Sequence, residues 1–316
     1  MKAYIIKRLL NAVVIMWAVA TVVFFGLRFI PGGPAAAILG ENANPQRVQA
    51  LEESLGLNKP ILVQYTDWFI NILQLDFGNS VRTSQSVNEI IMIALPKSVS
   101  IGLVGVIVGL LLSIPAGIVS ATHKDTVPDY VATVSAFLGL SMPAFYIGIL
   151  LMVLFGVWLD VFPVFGYTSP SEGIIPWLRG VILPGIAVGL PYAAVLMRMT
   201  RSSLLEVLNE HYMKTARSKG LNSRVRLYKH ALQNALIPVV TIAGIQFALI
   251  ISGSVTVELV YGIRGMGTVI VESIRNQDYP VAQGVIIVVA CGFVLVNLAV
   301  DIAYTVINPE IKYGEK

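Results

Sequence analysis

Apolar residues along this chain fall in runs too long for strands or ordinary core helices. The first, Leu9–Ile30, follows a short basic start, Lys2 to Arg8; others are Ser98–Ala121, Val134–Trp158, Gly180–Met199, Leu236–Leu259 and Val281–Ile307. About 20 apolar residues cross the hydrocarbon of a bilayer as a helix. The pattern therefore predicts an all-α polytopic membrane protein with six transmembrane helices. The first run starts like a secretory signal, but it is too long for a signal core. It also ends in Pro31-Gly32-Gly33-Pro34, not in a small-residue cleavage site, so it reads as a membrane helix containing Trp17, with Arg28 snorkelling outward. Pro115, Pro143, Pro184 and Pro191 interrupt the spans, the fourth span most of all. They read as kinks or close packing where neighbouring helices, or a water-lined cavity, satisfy the freed backbone groups.

Two connections between the runs are long. In the first, Pro31 to Pro96, Asn44-Pro45 is a helix start and Gly56 a stop. Pro60 opens a second helix, in which Ile61, Leu62, Tyr65, Trp68, Phe69, Ile72 and Leu73 oppose Gln64, Asp67, Asn71 and Gln74. It is too short and two-faced to span, which suits an interfacial helix or one packed on the others, either covering the bundle or docking an external partner. The second connection, Met199 to Ala235, is the most charged part of the chain. Good helix formers in Ala216-Arg217-Ser218-Lys219 are followed by the terminator Gly220.

Composition sharpens this picture. Only 13% of the 316 residues are charged and 56% are hydrophobic, with a mean hydropathy of +0.76, whereas soluble domains carry about 25% charge. A soluble enzyme is excluded. The net charge of +4 comes from 22 Lys and Arg against 18 Asp and Glu. With the N-terminus inside, fourteen of the 22 basic residues fall on the cytoplasmic side, eight of them between Met197 and His230. The positive-inside rule then places both termini in the cytoplasm, and the basic balance marks topology, not nucleic-acid binding. Cys291 is the single cysteine, and His123, His211 and His230 are too scattered for a zinc motif, so no metal site is expected.

Catalytic motifs are missing as well. The only Lys-Ser/Thr pairs, Lys97-Ser98 and Lys214-Thr215, follow Pro96 and Met213 where a phosphate-binding loop requires Gly. Gly-x-Ser-x-Gly, His-Glu-x-x-His and paired intramembrane aspartates are also absent, so no catalytic residue is assigned. The fifth span holds Gly244, Gln246, Ser252, Gly253, Ser254 and Thr256. Of these, Gln246, Ser252, Ser254 and Thr256 are candidates to line a solute pathway, with interhelical hydrogen bonding as the alternative. Asp301, near the inner end of the last span, suits a basic partner or interfacial water as well as it suits solute.

The charged connection carries Tyr212-x-x-Thr215-Ala216-Arg217-x-Lys219-Gly220-Leu221, then His230-Ala231-x-x-Asn234-Ala235-x-x-Pro238. This resembles the permease subunits of binding-protein-dependent ABC importers, in the dipeptide, oligopeptide, nickel and glutathione branch. Where the general signature has a glutamate and two alanines, this chain has Lys214, Thr215 and Ala216. Similar stretches run along nearly the whole chain: Arg8-Leu9-Leu10, Leu55 to Pro60, Asp76-Phe77-Gly78-Asn79-Ser80, Gly139 to Phe145, Thr200-Arg201-Ser202-Ser203, Arg275 to Pro280, Val300-Asp301 and Asn308-Pro309-Glu310-Ile311. Gly33 and Arg264 stand where the branch commonly has aspartate and proline.

The resemblance implies a type I ABC importer-like permease fold. Its first helix and external loop would be residues 1–96, its five-helix transmembrane domain 97–307 with a coupling loop at 200–235, and its tail 308–316. It implies a second related permease, two ATPase subunits holding ATP and magnesium, and an extracytoplasmic solute-binding protein, all in a cytoplasmic membrane. In the family a short cytoplasmic helix enters a cleft of the ATPase subunit. Lys214, Thr215, Ala216, Arg217, Lys219, Gly220 and Leu221 map to that element, Ala216 as the small residue that lets two backbones approach and Gly220 as the tight exit. The expected cargo is a peptide, with nickel complexes, glutathione and glycosides as alternatives. The rival is a secondary transporter driven by an ion gradient through intramembrane carboxylates. It has only Asp301 and Glu258 to work with, shows no inverted repeat, and leaves the basic connection unexplained.

Overall fold

The computed structural model describes residues 2–26, 35, 44–54, 56–251 and 255–307. Arg28, Pro31-Gly32-Gly33-Pro34, Ser252, Gly253, Ser254, the Asn308-Pro309-Glu310-Ile311 motif and the Asp301 side chain lie outside the described residues. Regular structure within them is helical, apart from one isolated bridge between Asn79 and Ser86. The helices are α1 (Lys2–Gly26), α2 (Pro45–Ser54), α3 (Ile61–Leu73), α4 (Val87–Thr122), α5 (Val127–Ser141) and α6 (Ala144–Leu151, continuing as a π-helix over Met152–Trp158). They continue with α7 (Ile174–Leu208), α8 (His211–Ser218), α9 (Leu232–Ile251), α10 (Val255–Val260), α11 (Met266–Arg275) and α12 (Tyr279–Ile307).

Among the described residues four helices, α1, α4, α7 and α12, are long and apolar enough to cross a membrane, and α5 with α6 makes a fifth crossing if that bent pair is one span. The run Leu236–Leu259 is divided between α9, whose 20 residues include no Asp, Glu, Lys or Arg, and α10. The run Val134–Trp158 is not one straight span, because α5 and α6 meet at 105° across Met142-Pro143. Pro143 lacks an amide donor and drives its predecessor out of helical space; Met142 accordingly has an extended backbone at φ −94°, ψ 129°. Pro115, Pro184 and Pro191, by contrast, lie inside continuous helices. Helix α4 starts at Val87, well before the apolar run at Ser98, so the division at 96/97 expected from the sequence falls inside a helix.

α7 is the hub of the bundle. Its apolar window is 72% buried, against 17% for α1. It meets α4 along a seam of glycines: a Cβ added to Gly109 would lie 2.0 Å from Tyr192 Cδ1, and one on Gly189 would lie 2.5 Å from the Gly105 carbonyl. Gly117 abuts Thr200 and Gly185 abuts Val104 in the same way. Without a hydrophobic drive between helices in lipid, such close backbone approach is what holds them together. Gly244 does the same for α9 against Val300 of α12, so it is a packing residue in a stretch otherwise read for polarity.

At one end of the bundle, the basic end, Ala121, Leu204, Met213, Ala231 and Ala235 form a small apolar cluster next to the charged connection. Toward the opposite end, Val87, Ile91, Met266, Val269, Val281 and Val285 form another. There α3 is joined to the end of α1: Phe24 lies 5.2 Å from the Tyr65 ring and 5.0 Å from Trp68, and Thr21 Oγ1 is 2.8 Å from the Tyr65 hydroxyl. Leu62 and Leu73 on α3 stay exposed. The expected boundaries of α2 hold. Asn44 Oδ1 accepts from the Gln46 amide, and Gly56, at φ +67°, ends the helix while the Leu57 amide reaches back to the Glu52 carbonyl.

Candidate functional site

The basic end is built around α8. Met213 and Ala216, three residues apart and so on one face, are both buried, Met213 in the cluster with Leu204 and Ala231, while His211, Tyr212, Lys214, Thr215, Arg217 and Ser218 are exposed. The helix stops at Gly220, which has φ +74° and nothing within 4 Å of the place a Cβ would occupy. Its requirement is thus conformational, not steric. The Gly220 amide bonds the Arg217 carbonyl and the Leu221 amide bonds the Ala216 carbonyl, the paired bonds of a Schellman stop. Tyr212 is tied across to the start of α9: Asn234 Nδ2 donates to the Tyr212 hydroxyl at 3.0 Å and to the His230 carbonyl at 3.0 Å. The signature residues Tyr212, His230 and Asn234 therefore meet as one tether. Ala216 is buried within this chain and does not lie on the exposed face of α8.

A second cluster at this end is not apparent along the sequence. Arg201 of α7 holds Asp129 of α5 in two parallel bonds of 2.8 Å, from Nε to Oδ1 and from Nη2 to Oδ2. Ser120 of α4 also donates to Asp129, as does the Asp125 amide at 3.0 Å. The Asp129 side chain is only 4% exposed and Arg201 29%. One carboxylate thus joins the ends of three helices, and its hydrogen-bonding capacity is filled, as a buried charge requires. Two opposite charges at the edges of apolar runs were the available signal, but their partnership depends on which helices adjoin.

At the opposite end, Glu258 is 1% exposed. It accepts from Ser98 Oγ at 2.6 Å, from the Thr268 amide at 2.8 Å and from the Thr268 hydroxyl at 3.1 Å; Ser98 Oγ in turn accepts from the Met266 amide. Glu258 and Ser98 therefore satisfy the free amides at the start of α11, where a negative charge is favoured. Nearby, two motifs far apart in the chain meet: Ser80 donates to Asp278 at 2.5 Å, and Arg82 Nε donates to the Asn276 carbonyl at 2.8 Å. Arg264 pairs with Glu272 at 2.9 Å on the surface, and its turn is anchored by buried Tyr261, whose hydroxyl donates to the Gly148 carbonyl.

Of the residues expected to couple, Lys214, Thr215, Arg217, Lys219, Gly220 and Leu221 are exposed, and Ala216 alone is buried. Of the pathway candidates, Gln246 is half-buried on α9 and Thr256 is exposed on α10. The family described as the binding-protein-dependent transport system inner membrane component matches residues 113–313, and its N-terminal companion matches residues 1–102. The chain belongs to this family. Its relatives in the family align over almost their whole length. A protein of Sinorhizobium fredii named "Probable peptide ABC transporter permease protein" is 38% identical over 313 residues, covering 99% of this chain and 100% of the relative. A dipeptide transport system permease protein of Alkalihalophilus pseudofirmus is 39% identical over 333 residues, covering 99% and 100%. A glutathione transport system permease protein of Salmonella typhi is 38% identical over 310 residues, covering 98% and 99%. The chain is accordingly a multi-pass inner-membrane component of an ABC transport system, and the motifs gathered around α8 and around Asp278 are parts of a permease.

Proposed function

We propose that this permease is one of two related subunits that enclose a pathway for peptides, driven by two ATPase subunits that bind ATP and magnesium and fed by an external solute-binding protein. In this reading the basic end faces the cytoplasm, with both termini there, and α8 is the element an ATPase subunit grips. The observation that carries it is the form of α8. Its outward face is polar and exposed, while Met213, packed with Leu204 and Ala235, and the Tyr212–Asn234 tether join it to α7 and α9. A push on α8 is therefore delivered to the spans. The energy has to come from elsewhere, because the sequence has no phosphate-binding loop.

The names of the relatives support peptides as cargo, and glutathione is itself a tripeptide. Glu258, engaged by Ser98 and Thr268, lends no support to an ion-driven mechanism. The test is import of a labelled di- or tripeptide into proteoliposomes holding the complete complex and its binding protein. Import is expected to require ATP at the α8 side and to persist when ion gradients are collapsed. Import that follows an ion gradient without nucleotide would overturn the proposal.

A further inference from the structure

Helix α7 is enclosed along most of its length, but in the half nearer the basic end one face stays open, with Arg198 and Ser202 exposed and Met199 half-buried. Together with Thr133 and Phe137 of α5 and Ile242 of α9, these residues line a cleft of about 510 Å³. Its two arginines differ in kind. Arg201 is neutralised by Asp129, whereas Arg198 makes no ion pair with a carboxylate among the described residues, and its guanidinium sits 5.5 Å above the Phe137 ring. A ring face steadies a guanidinium without cancelling its charge. Ser202 and Thr133 add hydroxyls. Polar and cationic groups on a membrane helix face a bundle interior or a wet cavity far more readily than lipid. Gln246 stands one turn from Ile242 on α9, hence on the same face, and extends the polar line away from the basic end.

We propose that this cleft is a stretch of the solute pathway and that Arg198 is a subsite for a carboxylate of the cargo, foremost the C-terminal carboxylate of a peptide. The inference rests on the peptide-importer reading above. The volume lies in the range of small-ligand pockets. A planar guanidinium suits a carboxylate, and a solvent-exposed pair is weak enough to let the cargo go. Met199 and Ile242 supply apolar surface for side chains without selecting among them.

The test uses the complete complex in proteoliposomes oriented to import, with the lumen preloaded with trialanine or its C-terminal amide. The binding protein has no access to the lumen, so any discrimination there belongs to the permease. The free acid is expected to slow import of labelled trialanine at concentrations about two- to fivefold lower than the amide, the ratio an exposed ion pair supplies. R198Q should erase that ratio and R198K should keep it, with copurification of the ATPase subunits confirming assembly of each variant. Equal inhibition by acid and amide in the unmodified complex, no inhibition by either, or a ratio that survives R198Q would overturn the subsite. So would an R198Q effect that depends only on the anionic lipid content of the vesicles, which would place the arginine against lipid headgroups. Absence of any trialanine import by the unmodified complex would instead sink the peptide reading itself.

Discussion

Gly220 adopts φ +74° in open space, so any side chain fits there and still opposes the fold. A non-glycine residue in this conformation costs about 1–2 kcal/mol, with a β-branched one worse. G220V should therefore leave the complex assembled while lowering peptide imported per ATP hydrolysed, measured in parallel on one preparation. The Asp129–Arg201 pair makes the opposite kind of demand. D129A would strand a partly buried guanidinium, with a loss of about 3 kcal/mol, the low end for buried pairs because Arg201 retains 29% exposure. The double variant D129A/R201M should recover much of the thermal midpoint in detergent; an equally unstable double variant would show that the pair is not the reason. The exposed stretch proposed for coupling was legible in the sequence because it is one local motif, Lys214 to Leu221, closed by Gly220. Asp129 was not, since nothing along the chain says that α5 lies beside the end of α7.

At the scale of elements, the glycine seam sets the tolerance of the bundle. G189A places a methyl 2.5 Å from the Gly105 carbonyl, a backbone atom that cannot rotate away, whereas Gly292 on α12 has nothing within 4 Å. Lower thermal stability is expected for G189A and none lost for G292A, which gains helix propensity of about 1 kcal/mol. Equal behaviour of the two would refute the seam. Hydropathy located the long helices because the bilayer sets their minimum length. It missed the start of α4 at Val87 because helix and apolar run need not coincide once the chain leaves the hydrocarbon. It also missed the 105° turn at Met142-Pro143. Prolines look alike in sequence, and Pro184 and Pro191 stay within a continuous helix where α7 is enclosed by its neighbours.

At the scale of the whole molecule, the distribution of basic residues makes a topological prediction. Alkaline phosphatase fused after Gln277 should be active, and fused after His123 or Asn222 inactive, with a fluorescent-protein reporter giving the inverse pattern. The reverse result would turn the permease over in the membrane and remove α8 from the reach of any cytoplasmic ATPase. The same arrangement has a mechanical consequence. α7 has 35 residues, so at 1.5 Å per residue it is a strut of about 52 Å that begins at Ile174 and ends beside α8. The seam clamps α4 along it, with backbone against backbone at Gly105 and Gly189. A tilt of about 10° around its midpoint would swing each tip by about 4–5 Å, given that length. A displacement of α8 on one side of the membrane is thus returned undiminished, and in the opposite direction, on the other.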